Sequence, residues 1–276
     1  MTHPLALPAG LQRVDARGEL DVGLAGRTRI VRLLQDGAAK IRFPRTENDP
    51  LQAVLINTAG GLTGGDRLAW RICVGAGASA IVTTQACEKV YRSSGGTATV
   101  SCAIAVGAGG RVAWLPQETI LFEGSALART IDADLGEGAT GLFVEATVFG
   151  RKAMGEAVTR ASFRDRWRIR RSGQLVHGED FHVAGDADRL LRAPAIAGGA
   201  IAMATLLYLG DDAERHLDAA RALAGDAGGA SAWSVAGSGK LLARLVAEDD
   251  YHLRKRLVPM IELLNGQAGT PKVWSL

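Results

Sequence analysis

The sequence predicts a mostly β protein of the α+β class. A body of layered, stacked β-strand repeats spans about residues 11–210, and a helix-containing part spans about 211–276, all within one domain across 1–276. Three observations predict this. Glycine supplies 35 of the 276 residues, close to twice the ~7% of ordinary proteins, without the Gly-X-Y period of collagen. A Gly-x-Gly turn bracketed by extended segments recurs along the first half. Helix start and stop signals are confined to the last third.

The repeat comes first because it decides the architecture. Val74-Gly-Ala-Gly77 leads into Ala80-Ile-Val-Thr-Thr-Gln85, Val106-Gly-Ala-Gly109 into Val112-Ala-Trp-Leu-Pro-Gln117, and Gly136-Glu-Gly138 into Leu142-Phe-Val-Glu-Ala146. Extended segments precede the turns: Leu68 to Val74, Ala98 to Val106 and Leu127 to Ala133. In the first two copies a Gln stands ten residues after the first Gly. The unit is strand, Gly-x-Gly turn, strand, with glycine supplying the positive φ that a short turn needs.

Further along, Phe163 to Arg171 and Gln174 to His182 read as paired strands around a Ser172-Gly173 turn. Ala204 to Leu209 reads as a strand. The segment from Asp211 to Ala224 has an Asp start and an Ala/Leu/Arg composition, which predicts a helix stopped at Gly225. Tyr251 to Leu264 predicts a second helix, with Leu253, Leu257, Met260, Ile261 and Leu264 on one stripe and Asn265-Gly266 as its stop. Lys240 to Ala247 fits either helix or buried strand.

Composition excludes several function classes. A net charge of +3, from 32 basic and 29 acidic residues, is too small to indicate a nucleic-acid or membrane partner. The odd set Cys73, Cys87 and Cys102 has no CxxC pair, so neither a disulfide framework nor a zinc ribbon is expected. The N-terminal residues lack a signal-peptide pattern, and the longest apolar stretch, Ala195 to Leu209, is short of a spanning helix. These features predict a soluble, cytoplasmic protein.

Known chemistry-bearing motifs fail on context. Gly75-Ala-Gly77-Ala-Ser-Ala80 matches GxGxxA, but β-branched Ile81-Val-Thr-Thr84 follows where a dinucleotide fold needs a helix, so a hairpin turn is expected. Ser238-Gly239-Lys240-Leu241 lacks the first Gly and the magnesium-binding hydroxyl of a P-loop. Arg164, Arg166, Arg168 and Arg170 share one strand face opposite Phe163, Trp167 and Ile169. That face suits solvent or an acidic partner, with nucleic acid as the alternative; no aromatic platform lies among the arginines. His177 and His182 lie on opposite faces of a strand, and the five histidines form no metal motif. No Ser/His/Asp or Cys/His arrangement is visible, so no catalytic residue is expected. The loop Asn57 to Asp66, with two Gly pairs closed by a carboxylate, supports three readings: a backbone anion nest, an Asp66 oxygen for a cation, or Asp66 as a turn cap.

At this loop the chain resembles a known family. NTAGGLTGGD (Asn57 to Asp66), TTQACEKVYRS (Thr83 to Ser93), WLPQETILFEG (Trp114 to Gly124), FGRKAMGE (Phe149 to Glu156) and PKVW (Pro271 to Trp274) together resemble the urease accessory proteins UreD, also called UreH. The five motifs occur in order and cover nearly the whole chain. One departure is Cys87, where the family pattern has Ala; a thiol there invites a metal reading, but a small buried residue is expected.

The resemblance implies a non-enzymatic, mostly β scaffold with no permanently bound cofactor. It implies partners in UreF, the GTPase UreG and apo-urease, within a cytoplasmic hetero-oligomer that passes nickel(II) transiently, with neither nucleic acid nor membrane involved. A transfer protein should hold the ion weakly, which suits scattered oxygen and imidazole donors. On that reading Asp66 is the first candidate, Glu145 and Glu179 follow, and His177 and His182 are auxiliary. Glu88, Lys89, Tyr91, Arg92, Gln117, Glu118, Arg151 and Glu156 fit structural ion pairs as well as function. A nucleic-acid module on the arginine face and a hydrolase on the Asp66 loop are the competing readings.

Overall fold

The computed structural model describes residues 12–46 and 49–275. Among the described residues seventeen strands dominate: β1 Asp15–Ala25, β2 Arg27–Asp36, β3 Ala39–Arg42, β4 Leu51–Asn57, β5 Arg67–Val74, β6 Ser79–Thr84, β7 Glu88–Val90, β8 Ala98–Val106, β9 Arg111–Leu115, β10 Thr119–Leu121, β11 Ala126–Leu135, β12 Thr140–Phe149, β13 Ala161–Arg171, β14 Gln174–Gly185, β15 Ala202–Leu209, β16 Gly228–Val235 and β17 Ser238–Ala247. The α-helices are α1 Ala187–Leu191, α2 Leu217–Ala224 and α3 Asp250–Asn265.

Two sheets lie face to face. One runs β14-β13-β11-β8-β5-β1-β2, and the other β16-β17-β15-β12-β9-β6-β4-β3 with β7 and β10 beside β12. The centre is a solenoid: β5, β8 and β11 are parallel neighbours in the first sheet, and β6, β9 and β12 in the second. Each Gly-x-Gly turn is therefore a corner that carries the chain from one sheet to the other. The expected hairpin does not form, because the strands on either side of the turn never pair with each other.

The two glycines of each corner have separate tasks. The second adopts positive φ, 65° at Gly77, 63° at Gly109 and 64° at Gly138, which closes the turn. The first lies against the coil beneath it, since a Cβ on Gly107 would stand 2.6 Å from the Ala76 nitrogen and one on Gly136 2.8 Å from the Ala108 nitrogen. Stacked corners bond to each other, Gly77 N–H to the Ala108 carbonyl and Gly109 N–H to the Glu137 carbonyl. The recurrent Gln has a similar cause: Gln117 donates from Nε2 to the Gln85 carbonyl one coil away, at 2.8 Å.

Antiparallel pairs close the solenoid. β13 and β14 join through Ser172 (φ 47°) and Gly173 (φ 79°), as the turn signal predicted. The ambiguous segment at Lys240 is strand β17, paired on both sides by β15 and β16. One apolar core fills the space between the sheets. A second lies between the outer face of the second sheet and the two C-terminal helices, where Leu253, Leu257, Met260, Ile261 and Leu264 form the predicted buried stripe. The first predicted C-terminal helix begins as a 3₁₀ turn over Ala213–His216 and becomes α-helical only from Leu217.

Candidate functional site

Strand alternation places a line of polar side chains inside the sandwich. Arg129 of β11, Asp165 of β13 and Glu145 of β12 alternate with core residues on the inner faces and meet between the sheets. Arg129 holds Asp165 with two bonds, Nε at 3.0 Å and Nη2 at 2.7 Å, and its Nη1 reaches both Glu145 and the Thr119 hydroxyl. Trp114 Nε1 donates to the other Glu145 oxygen at 2.9 Å. One guanidinium thus serves two buried carboxylates, so the cluster carries an excess negative charge when both are ionised. Burial pushes the Glu145 carboxyl above its usual range, opposed by Arg129.

The line continues both ways. Toward one side, Glu88 of β7 accepts from Asn57 at 3.1 Å, and burial pushes its carboxyl up to about 7. Toward the other, Glu179 of β14 pairs with Arg244 of β17. Three cavities follow this line. One of about 210 Å³ includes Asn57, Cys87 and Glu88; one of about 50 Å³ runs past Glu88, Cys102 and Trp114 to Arg129 and Glu145; one of about 220 Å³ extends from Arg129 and Glu145 to Asp165, Glu179 and Arg244. Neighbouring cavities share walls, Glu88 between the first two and Arg129 with Glu145 between the last two.

The fold brings Glu145 and Glu179 together; His177 shares the inner face of β14 with Glu179 but lines none of the three cavities, and Asp66 and His182 lie elsewhere. Asp66 is buried, and its carboxylate accepts from Thr63 N–H at 2.7 Å and Val14 N–H at 2.9 Å, the turn-cap arrangement. His177 is buried and His182 exposed, on opposite faces as expected. Burial, aided by Lys240, Arg244 and Arg168, pushes the His177 imidazole down to about 4, and its Nε2 has no partner among the described residues.

Sequence reasoning missed Arg129 and Asp165. Their signal was present, a charge at an inward-facing position of each strand, but which charges meet depends on the parallel pairing of β11 with β13.

Several motif residues are structural. Glu118 receives Arg254 of α3 through two bonds, at 2.7 and 2.6 Å, while Arg254 also reaches Gln117 and packs beside Trp274. Arg151 pairs with Glu156. Cys87 is half-buried and donates to Glu118; burial, with that neighbouring charge, pushes the thiol up to about 12. On the arginine face, Arg164 pairs with Asp180, Arg170 with Asp132, and Arg168 with the Trp167 and Glu179 carbonyls, which leaves little charge for phosphates. Glu248, Asp249 and His252 form an exposed donor cluster, on which the Lys152 ammonium sits at 2.9 and 3.1 Å. Among the described residues, no helix is long and apolar enough to cross a membrane.

The sequence pattern of the UreD urease accessory protein family matches residues 16–275. The chain belongs to that family. It is 55% identical over 271 residues to urease accessory protein UreD of Brucella suis, covering 98% of this chain and 97% of the relative. It is 57% identical over 270 residues to urease accessory protein UreD of Mesorhizobium japonicum, covering 98% and 96%. A urease accessory protein UreD 1 of Brucella anthropi is 54% identical over 269 residues. The family role is accessory to urease rather than catalytic, so the chain is a urease accessory protein and not an enzyme.

Proposed function

We propose that this chain is a cytoplasmic scaffold for urease maturation. It binds apo-urease and, with UreF and UreG, supports insertion of nickel(II) as a transient cargo. The observation that carries the transit reading is the series of intersheet cavities lined by Glu88, Glu145, Asp165 and Glu179. These carboxylates offer hard oxygen donors spread along a path, and a closed His/Cys set would trap the ion. Glu145 and Glu179 are the waypoints; Asp66 and His177 lie off the line, and His182 is on the outer face. Arg129 neutralises part of the line, so a divalent ion at Glu145 competes with a guanidinium and is held weakly.

The test is nickel-dependent urease activation in cells co-expressing this chain with UreF, UreG and apo-urease. Glu145→Gln leaves Arg129 paired with Asp165, so the variant should co-purify normally with the partners while activation falls severalfold. Glu179→Gln should act in the same direction. Normal activation by both variants would overturn the transit reading; loss of co-purification by both would show that the carboxylates serve the fold instead.

A further inference from the structure

The ends of two motifs meet at a surface cleft that does not include Glu145. The cleft, of about 560 Å³, is lined by Arg92, Ser93, Gly124, Ser125, Arg160, Ala161, Ser162 and Gly185, none of them acidic. Arg92 and Ser93 end TTQACEKVYRS, and Gly124 ends WLPQETILFEG. The Asn57 to Asp66 loop packs against them, since a Cβ on Gly64 would strike the Ser93 hydroxyl.

Several donors here have no protein partner among the described residues. Arg92 is exposed, and among the described residues its guanidinium makes neither a hydrogen bond nor an ion pair. Its stem lies over Gly124, where a Cβ would stand 3.0 Å from Arg92 Cγ and 3.1 Å from Nε; the glycine (φ 76°) is what lets the arginine cross the turn. Arg160 uses Nε for Glu123, leaving its two Nη groups. Glu123 is not part of the cleft lining, and its carboxylate also accepts from the Thr159 and Arg160 backbone N–H groups. Ser125 is 2% exposed and its hydroxyl has no partner among the described residues, an unsatisfied group that a bound ligand would satisfy. Ser162 adds an exposed hydroxyl.

The Arg92 guanidinium, the two Nη groups that Arg160 keeps while Glu123 holds its Nε, and two hydroxyls match the several oxygens of a phosphate. We propose that this cleft is a binding site for a phosphate-class oxyanion, as free phosphate or as the phosphoryl group of a larger molecule. Arg92 and Arg160 supply the charge, and Ser125 bonds one oxygen at the cleft floor. The proposal stands apart from nickel transit.

Calorimetric titration of the full chain with inorganic phosphate tests it. Wild type should bind phosphate saturably, Arg92→Gln at least tenfold more weakly, and Ser125→Ala severalfold more weakly with no loss of thermal stability. Acetate should not compete at equal concentration. ATP that displaces phosphate with tighter, Arg92-dependent binding would assign the site to a phosphoryl group; failure of ATP to displace it would assign free phosphate. Absence of phosphate binding, unchanged binding by folded Arg92→Gln, or equal competition by acetate would each overturn the proposal.

Discussion

Glu88 shows how a single side chain reports its surroundings. Its carboxyl lies in the wall between two cavities with Asn57 as partner, and burial raises it from 4.5 to about 7 against the pull of that amide. Between these values the unfolded chain has released the proton and the folded chain keeps it. The unfolded state binds fewer protons, so stability falls as pH rises through this window and the loss is complete above it. Glu88→Gln removes that loss. The variant should be about 3 kcal/mol more stable than wild type at pH 8, a Tm rise of roughly 8 °C, and the gap should close toward pH 4.5. Thermal melts at the two pH values check this; a gap independent of pH would show that Glu88 does not titrate in the window. His177 behaves in the opposite sense: its depressed imidazole removes stability as pH falls from 6.5 toward about 4.

At the scale of elements, the corners carry the fold. Gly107 has ordinary φ, yet a Cβ there meets only backbone, 2.6 Å from the Ala76 nitrogen and 2.9 Å from the Gly75 carbonyl carbon. Neither atom can move without separating two coils. Gly109, two residues on, has positive φ and nothing within 4 Å of a Cβ. Gly107→Ala should therefore cost about 2–3 kcal/mol, and Gly109→Ala about 1 kcal/mol. Denaturant unfolding of both variants measures the difference, and equal losses would show that coil stacking tolerates a side chain. The recurring Gly-x-Gly was legible in the sequence because turn chemistry is local. That each turn joins two sheets was not legible: corner and hairpin both use glycine, and only the partner strands, 29 to 32 residues away, tell them apart.

Across the whole molecule, the C-terminus is a latch. Trp274 is buried and donates from Nε1 to the Thr83 hydroxyl at 3.1 Å and the Leu115 carbonyl at 3.2 Å. Beside it Arg254 joins α3 to Glu118 and Gln117 of the solenoid. Residues from three of the five motifs, far apart in the chain, are thereby one contact. Trp274→Ala removes a buried indole and should cost about 3–5 kcal/mol, with the strongest rise in amide hydrogen exchange over α3. Exchange that rises equally everywhere, or not at all, would show that the latch does not hold that helix.

The amino-acid sequence by itself determined the strand-rich class, the repeat and its Gly-x-Gly turns, the β13–β14 turn, the C-terminal helix with its buried stripe, and the family. All of these rest on local propensity, periodicity or runs of adjacent residues. Only the tertiary structure decided which charges meet. Glu145 and Glu179 share the intersheet line with Arg129 and Asp165, whereas Asp66, closing the most distinctive loop, bonds to its own backbone surroundings. The physical reason is that an inward-facing charge is set by period-two alternation, but its partner is set by parallel register between strands separated by a full coil.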